Sequence, residues 1–261
     1  RMGSAARALQ SGLSGVAETI YRSLLEKSAQ ISTSELVALK IGLAKALIGQ
    51  GRFVAARAQL DSVQEEFQKG EYLVYLALSI YGEGDGRIDS EAFLVALEKA
   101  SSADLKAEDL PWLAMLQGLA AEFDGQTEIA TAAYQRALEL TDQPMLRSHF
   151  EGLIMRQKLL ASSADEALVA ELRVKIDQLE GQAAAYPFVR EYAVGLYGLG
   201  RIDEATSAIE GELENTSAGY TPEEREQLRL LKAIILGANS ETGRASLKTL
   251  ILNGQNRETL G

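Results

Sequence analysis

His149 is the single imidazole of this 261-residue chain, and the chain has no cysteine. Thiolate nucleophiles, Cys-ligated zinc, iron–sulfur clusters and disulfides are therefore excluded, as are His-rich metal sites. Any nucleophilic triad would have to use His149. That residue falls in a segment of helical periodicity, near Arg147 and Glu151, with no nucleophile–base constellation beside it. Carboxylates are abundant, but the pairs Glu65-Glu66 and Glu223-Glu224 are adjacent in sequence. Adjacent residues on a helix point to different faces, so neither pair forms an acid–base dyad. The run Gly82-Glu83-Gly84-Asp85-Gly86 lacks the Lys-Ser/Thr of a phosphate loop and the regular acidic spacing of an EF-hand, and it reads as a turn. No catalytic centre, cofactor or metal site is expected, and a non-enzymatic role follows.

Charge narrows the partners. The formal net charge is −11, from 37 acids against 26 bases, with no run of Lys or Arg. A concentrated basic footprint for nucleic acid is missing, and an anionic membrane surface is disfavoured for the same reason. No stretch approaches the ~20 apolar residues that span a bilayer. The most apolar stretch, Leu228 to Leu236, contains Arg229 and Lys232. Glu83–Asp109 holds eight acids against Arg87, Lys99 and Lys106, which reads as a solvated face, with a face toward a basic partner as the alternative. The chain opens Arg1-Met2-Gly3-Ser4 without a secretory signal pattern, and absence of Cys is compatible with cytoplasm or a bacterial periplasm.

A repeat organises the rest. A Gly turn followed about five residues later by Ala recurs as Gly12 to Ala17, Gly51 to Ala56, Gly125 to Ala130 and Gly200 to Ala205. Gly86 to Ala92 fits with one inserted residue, and weaker copies end at Ala167 and Ala245. The spacing of these alanines runs from 36 to 40 residues. All four prolines (Pro111, Pro144, Pro187, Pro222) fall at the starts of apolar-periodic segments, where a missing N–H costs nothing. Ser32…Glu35, Ser163…Glu166 and Thr221…Glu224 have capping-box spacing. With 46% hydrophobic residues there is enough for a core, and sustained β alternation is absent.

The expectation is therefore all-α, with seven antiparallel helix pairs. First helices are expected at 5–11, 34–49, 71–82, 109–123, 145–160, 186–198 and 222–237. Their partners are expected at 14–28, 53–68, 89–101, 127–140, 164–181, 202–215 and 241–253. The repeats are 1–30, 32–69, 70–104, 108–142, 144–183, 185–217 and 221–255, one array that reads as part of a longer chain.

These residues resemble the tetratricopeptide repeat (TPR) family. Ala114 to Pro144 carries the best match, with Gly118 and Ala121, the turn at Gly125, then Ala130, Tyr134, Ala137, Asp142 and Pro144. Leu43-Ala44, Leu47, Gly51, Ala56, Leu60 and Val63 form a second match, and Ala193, Leu196, Gly200, Ala205 and Ile209 a third. The resemblance implies a right-handed superhelical stack, a TPR-like α-solenoid whose first helices line a concave groove for a peptide or protein segment. Carrying the groove register across marks Lys45, Leu76, Ile80, Trp112, Met115, Leu119, Arg156, Arg190 and Tyr197 as partner-binding candidates. The apolar ones have two open uses, groove lining or packing between repeats. The family's carboxylate clamp needs Asn in the first helices, and Asn215, Asn239, Asn253 and Asn256 all lie elsewhere. The alternative role is a regulatory or assembly segment of a larger enzyme or a membrane-anchored protein.

Overall fold

The computed structural model of the chain describes residues 2–27, 31–83, 91–161 and 165–237. Among these residues every regular element is a helix. Two compact units are present, Arg1–Gln143 and Pro144–Gly261. The first contains α1 (Met2–Gln10), α2 (Ser14–Glu26), α3 (Thr33–Ile48), α4 (Phe53–Asp61), α5 (Glu71–Glu83), α6 (Glu91–Ser101), α7 (Leu110–Phe123) and α8 (Thr127–Glu139). The second contains α9 (Pro144–Ala161), α10 (Glu166–Gln178), α11 (Tyr186–Gly198), α12 (Ile202–Glu214) and α13 (Pro222–Leu236). The helix expected at 241–253, the Gly86 turn, the Ser163 cap and Ala245 lie outside the described residues. None of the described helices is long and apolar enough to cross a membrane.

Local sequence explains where these helices start. Capping boxes form at Ser32–Glu35 and Thr221–Glu224, each with the side chains and backbones bonded reciprocally. Pro111, Pro187 and Pro222 occupy the first helical turn, and Pro144 opens α9. One expected helix is shorter: 53–68 ends at Asp61 and resumes only as a 3-10 turn over Glu65–Phe67. The Ser62 hydroxyl donates to the Gln59 carbonyl at 2.6 Å, and Gln64 is extended. A serine that bonds its own backbone competes with the helical ladder.

The helix-to-helix turn is repeated in detail. Gly12, Gly51, Gly125 and Gly200 sit at φ of 73°, 72°, 71° and 75°, the left-handed region that glycine enters without a Cβ clash. The residue after each glycine reaches back to the helix it has left: Leu13 N–H to Ala8, Arg52 to Leu47, Gln126 to Ala121 and Arg201 to Leu196. Those are Schellman closures. The same four residues then accept the first bond of the next helix, from Ala17, Ala56, Ala130 and Ala205. All four alanines are fully buried. Four residues on, Tyr21, Leu60, Tyr134 and Ile209 are buried as well, one helical turn along the same face.

The alanine series does not extend to α6 and α10. Ala92 and Ala167 are exposed. In α6 the buried face is Phe93, Leu97 and Ala100, one residue later, and in α10 it is Val169, Leu172 and Ile176.

In the first unit each helix packs on its chain neighbour, and α1–α3, α3–α5 and α5–α7 also touch. In the second unit α11 is the hub: it packs on α9, α10, α12 and α13. The core there gathers Met155, Leu172, Phe188, Leu196, Ile209 and Leu228. The pair expected over 144–183 departs from the others, because α9 and α10 pack mainly on α11 and not on each other. Gly195 of α11 makes this possible. An added Cβ there would stand 2.9 Å from Val169 Cγ2 and 3.4 Å from Leu159 Cδ2, so α11 sits between the two helices. Long side chains bridge them, Lys175 to Glu151 at 2.7 Å and Lys158 to Glu171 at 3.5 Å.

Candidate partner-binding site

In the first unit the first helices are joined by a charge cluster. Lys45 comes from α3, Glu71 opens α5, and Asp109 immediately precedes α7. The Lys45 ammonium stands 2.5 Å from Glu71 Oε2 and 3.4 Å from Asp109 Oδ1. It also lies 4.4 Å above the Tyr75 ring, a cation–π contact, while the Tyr75 hydroxyl donates to Asp109 Oδ1 at 3.1 Å. Asp109 is fully buried, and its Oδ2 has no hydrogen-bond partner. At the helix start its carboxylate makes no capping bond and turns to Lys45 and Tyr75 instead.

These contacts shift both ends of the pair. Desolvation alone would lower the Lys45 pKa, but Glu71 and Asp109 outweigh it and hold the ammonium above its usual value. Burial raises the Asp109 carboxyl, against the opposing pull of Lys45 and the Tyr75 hydroxyl, with Glu71 and Glu108 adding to the rise. Burial, then Asp109, pushes the Tyr75 phenol well up. Carboxylate oxygens of Glu71, Glu108 and Asp109 lie within 4.8 Å of one another, close enough to share a cation. The Lys45 ammonium already serves two of the three.

The apolar candidates lie on α5 and α7. Ile80, Met115 and Leu119 are buried, so packing between helices is the use seen for them. Leu76 and Trp112 are half-buried on α5 and α7. Glu71, Tyr75 and Asp109 were not among the expected site residues. Asp109 stood within an acidic stretch that reads as solvated, and its partner Lys45 is 64 residues away.

In the second unit the candidates lie on α9 and α11. Gly152 marks their crossing, because a Cβ there would fall 2.5 Å from Pro187 Cβ. His149 stands one turn before Gly152 and Arg156 one turn after it on the same α9 stripe. On α11, Arg190 is one turn past Pro187, and Tyr197 is two turns further on the same face. Arg190 approaches Glu191 at 3.4 Å, the first 42% and the second 4% exposed. Tyr197 is 49% exposed. His149 is exposed by area yet crowded by protein. Desolvation first, then the Arg156 and Arg190 charges, bring its imidazole down to about 4 from 6.5. Its ring meets Phe150 edge-on, with centroids 5.8 Å apart.

No family model, curated protein or solved structure matches this chain. The site must therefore be judged on its own geometry. Partner contact needs side chains that are reachable: Tyr197 is exposed, and Leu76, Trp112, Arg156 and Arg190 are half-buried, Arg190 beside the covered Glu191. Lys45 is reachable only in part, and its ammonium is committed to Glu71 and Asp109.

Proposed function

We propose that this chain is a TPR-like helical-repeat scaffold, a non-enzymatic protein that binds a peptide or protein segment on the face made by its first helices. In this reading the pairs form a right-handed superhelical stack. The observation that carries it is the turn repeated at Gly12, Gly51, Gly125 and Gly200, with the same closures and the same buried alanine each time. A hairpin of this size cannot bury its apolar stripe alone, so repeats of it stabilise one another by stacking. Contacts between alternate helices α1–α3, α3–α5 and α5–α7 support a surface built from first helices. On it, Lys45 with Glu71 and Asp109 ties three repeats together, and Leu76 and Trp112 face the partner.

The test is capture with the intact chain, then competition by peptides from the captured protein. Trp112 is the only tryptophan, so its fluorescence reports occupancy directly. Trp112→Ala is expected to weaken binding with the helical circular-dichroism signal retained. A peptide that binds with full affinity to Trp112→Ala and to Leu76→Ala would move the site off this face.

A further inference from the structure

Glu71, Glu108 and Asp109 keep carboxylate oxygens that Lys45 does not use. Glu71 opens α5, and Glu108 and Asp109 sit in the turn that leads into α7. The Asp109 N–H closes that turn by donating to the Lys106 carbonyl at 3.0 Å. The segment before α7 lies against the start of α5, since a Cβ on Gly70 would stand 3.5 Å from the Asp104 carbonyl oxygen. One carboxylate oxygen from each of the three acids is thereby within 4.8 Å of the other two. Lys45 takes Glu71 Oε2 and Asp109 Oδ1, and the Tyr75 hydroxyl also donates to Oδ1. Asp109 Oδ2 takes no hydrogen bond, although the residue is wholly covered. A buried carboxylate oxygen without a partner is costly, and such an atom points to something bound there. Glu71 Oε1 faces Lys106 at 3.7 Å, but that lysine is 69% exposed and solvent screens it. Glu108 is exposed. Three carboxylates against the two ammoniums of Lys45 and Lys106 leave the group net negative.

We propose that Glu71, Glu108 and Asp109 bind a divalent cation of calcium size where the start of α5 meets the turn before α7, through the oxygens that Lys45 leaves over. The donor set is all carboxylate oxygen, which suits a hard cation. Calcium takes its ligands at about 2.3–2.6 Å, so two oxygens on opposite sides of it stand up to about 5 Å apart. The observed spread of 4.8 Å fits that span. Magnesium, at about 2.0–2.1 Å, requires the oxygens to close to about 4 Å and gives up its waters reluctantly. Lys45 keeps Glu71 Oε2 and Asp109 Oδ1, the ion takes Asp109 Oδ2 with Glu71 and Glu108, and water fills the remaining positions. The bound ion fastens the segment before α7 to α5. The proposal goes beyond the scaffold reading and does not depend on a partner.

The aromatic neighbours make the test specific. Terbium ion, a luminescent substitute for calcium, is added to the intact chain and excited through the aromatic side chains. The Tyr75 hydroxyl stands 3.1 Å from Asp109 Oδ1, and Trp112 lies one turn along α7 from Asp109, so sensitised emission reports an ion at this place. Emission is expected to saturate at one ion per chain. Calcium should displace the terbium with a Kd tighter than about 1 mM, the weak end of oxygen-ligated sites, and magnesium should need a higher concentration. Glu108→Gln should weaken calcium on the order of tenfold while the circular-dichroism signal is retained, because that side chain is exposed. Asp203→Asn, on α12, should leave the affinity unchanged. Calcium should also raise the melting temperature of the wild type and do so less in Glu108→Gln. Absence of sensitised emission overturns the proposal, as does magnesium displacing terbium as readily as calcium. Weak uptake of several ions that Glu108→Gln does not alter is the general attraction of an acidic chain, and it overturns the proposal too. None of these outcomes bears on the scaffold reading, which the capture experiment tests separately.

Discussion

Gly118 of α7 lies directly under the Tyr134 ring of α8: an added Cβ would stand 2.4 Å from Tyr134 Cε1. The tyrosine is fully buried and its hydroxyl donates to Glu122 at 2.7 Å, so the ring is held at both ends. Gly118→Ala should overpack this crossing and cost ~1–3 kcal/mol, although alanine is the better helix former. Urea denaturation of the single and the Gly118→Ala/Tyr134→Leu double variant checks it. A double variant closer to wild type than the sum of its parts identifies the ring as the obstacle.

The Lys45 cluster makes a second expectation. Lys45 is 17% exposed, Glu71 23% and Asp109 wholly buried, so removing the ammonium strands a carboxylate in a poorly solvated place. Lys45→Ala should cost about 3 kcal/mol, near the lower end for breaking a buried pair. Asp109→Asn keeps the shape and removes the buried charge, so it should cost less than Lys45→Ala. The two are compared by chemical denaturation at neutral pH. Equal and negligible losses would mean that solvent screens the cluster.

How much was legible follows from the range of the interactions involved. Caps, prolines and glycine turns are local, and the helix limits at Ser32, Pro187 and Thr221 could be read because each is set by neighbours within about one turn. The four Gly-to-Ala turns are local too, which is why Ala17, Ala56, Ala130 and Ala205 stand out in the sequence as marks of the repeat. The break after Asp61 was missed because a serine hydroxyl, not a Gly or Pro, ends that helix. Asp109 was missed for a different reason. Its burial depends on a lysine two first helices away, a tertiary pairing without a sequence period. The placement of α11 between α9 and α10 rests on the missing side chain of Gly195, which in sequence looks like any other small residue.

The repeat register itself can be tested by size. Ala56→Leu and Ala130→Leu place extra carbons where no surface is exposed and should each cost ~1–3 kcal/mol. Ala92→Leu and Ala167→Leu change exposed positions and should stay within about 0.5 kcal/mol of wild type. Thermal melts of the four variants under one buffer separate the cases. A destabilised Ala92→Leu would place Ala92, and not Phe93, on the inner face of α6.

His149 gives the acid dependence a definite direction. In the unfolded chain its imidazole takes a proton near 6.5, whereas in the folded protein the surrounding protein and then Arg156 and Arg190 delay protonation to about 4. Between those values the unfolded state binds more protons, so acidification favours unfolding. The penalty is absent above about pH 7, grows as pH falls from about 6.5 to about 4, and stays constant below that. Because the residue is exposed, solvent screening reduces its size but not its sign. His149→Gln removes the titrating group and leaves a polar side chain of similar length. The stability difference between wild type and His149→Gln should therefore be flat in neutral buffer and shift against wild type across the window from about 6.5 to about 4. Urea midpoints at intervals of pH measure it. A difference that is constant with pH would show that His149 protonates alike in both states and that the two arginines do not act on it.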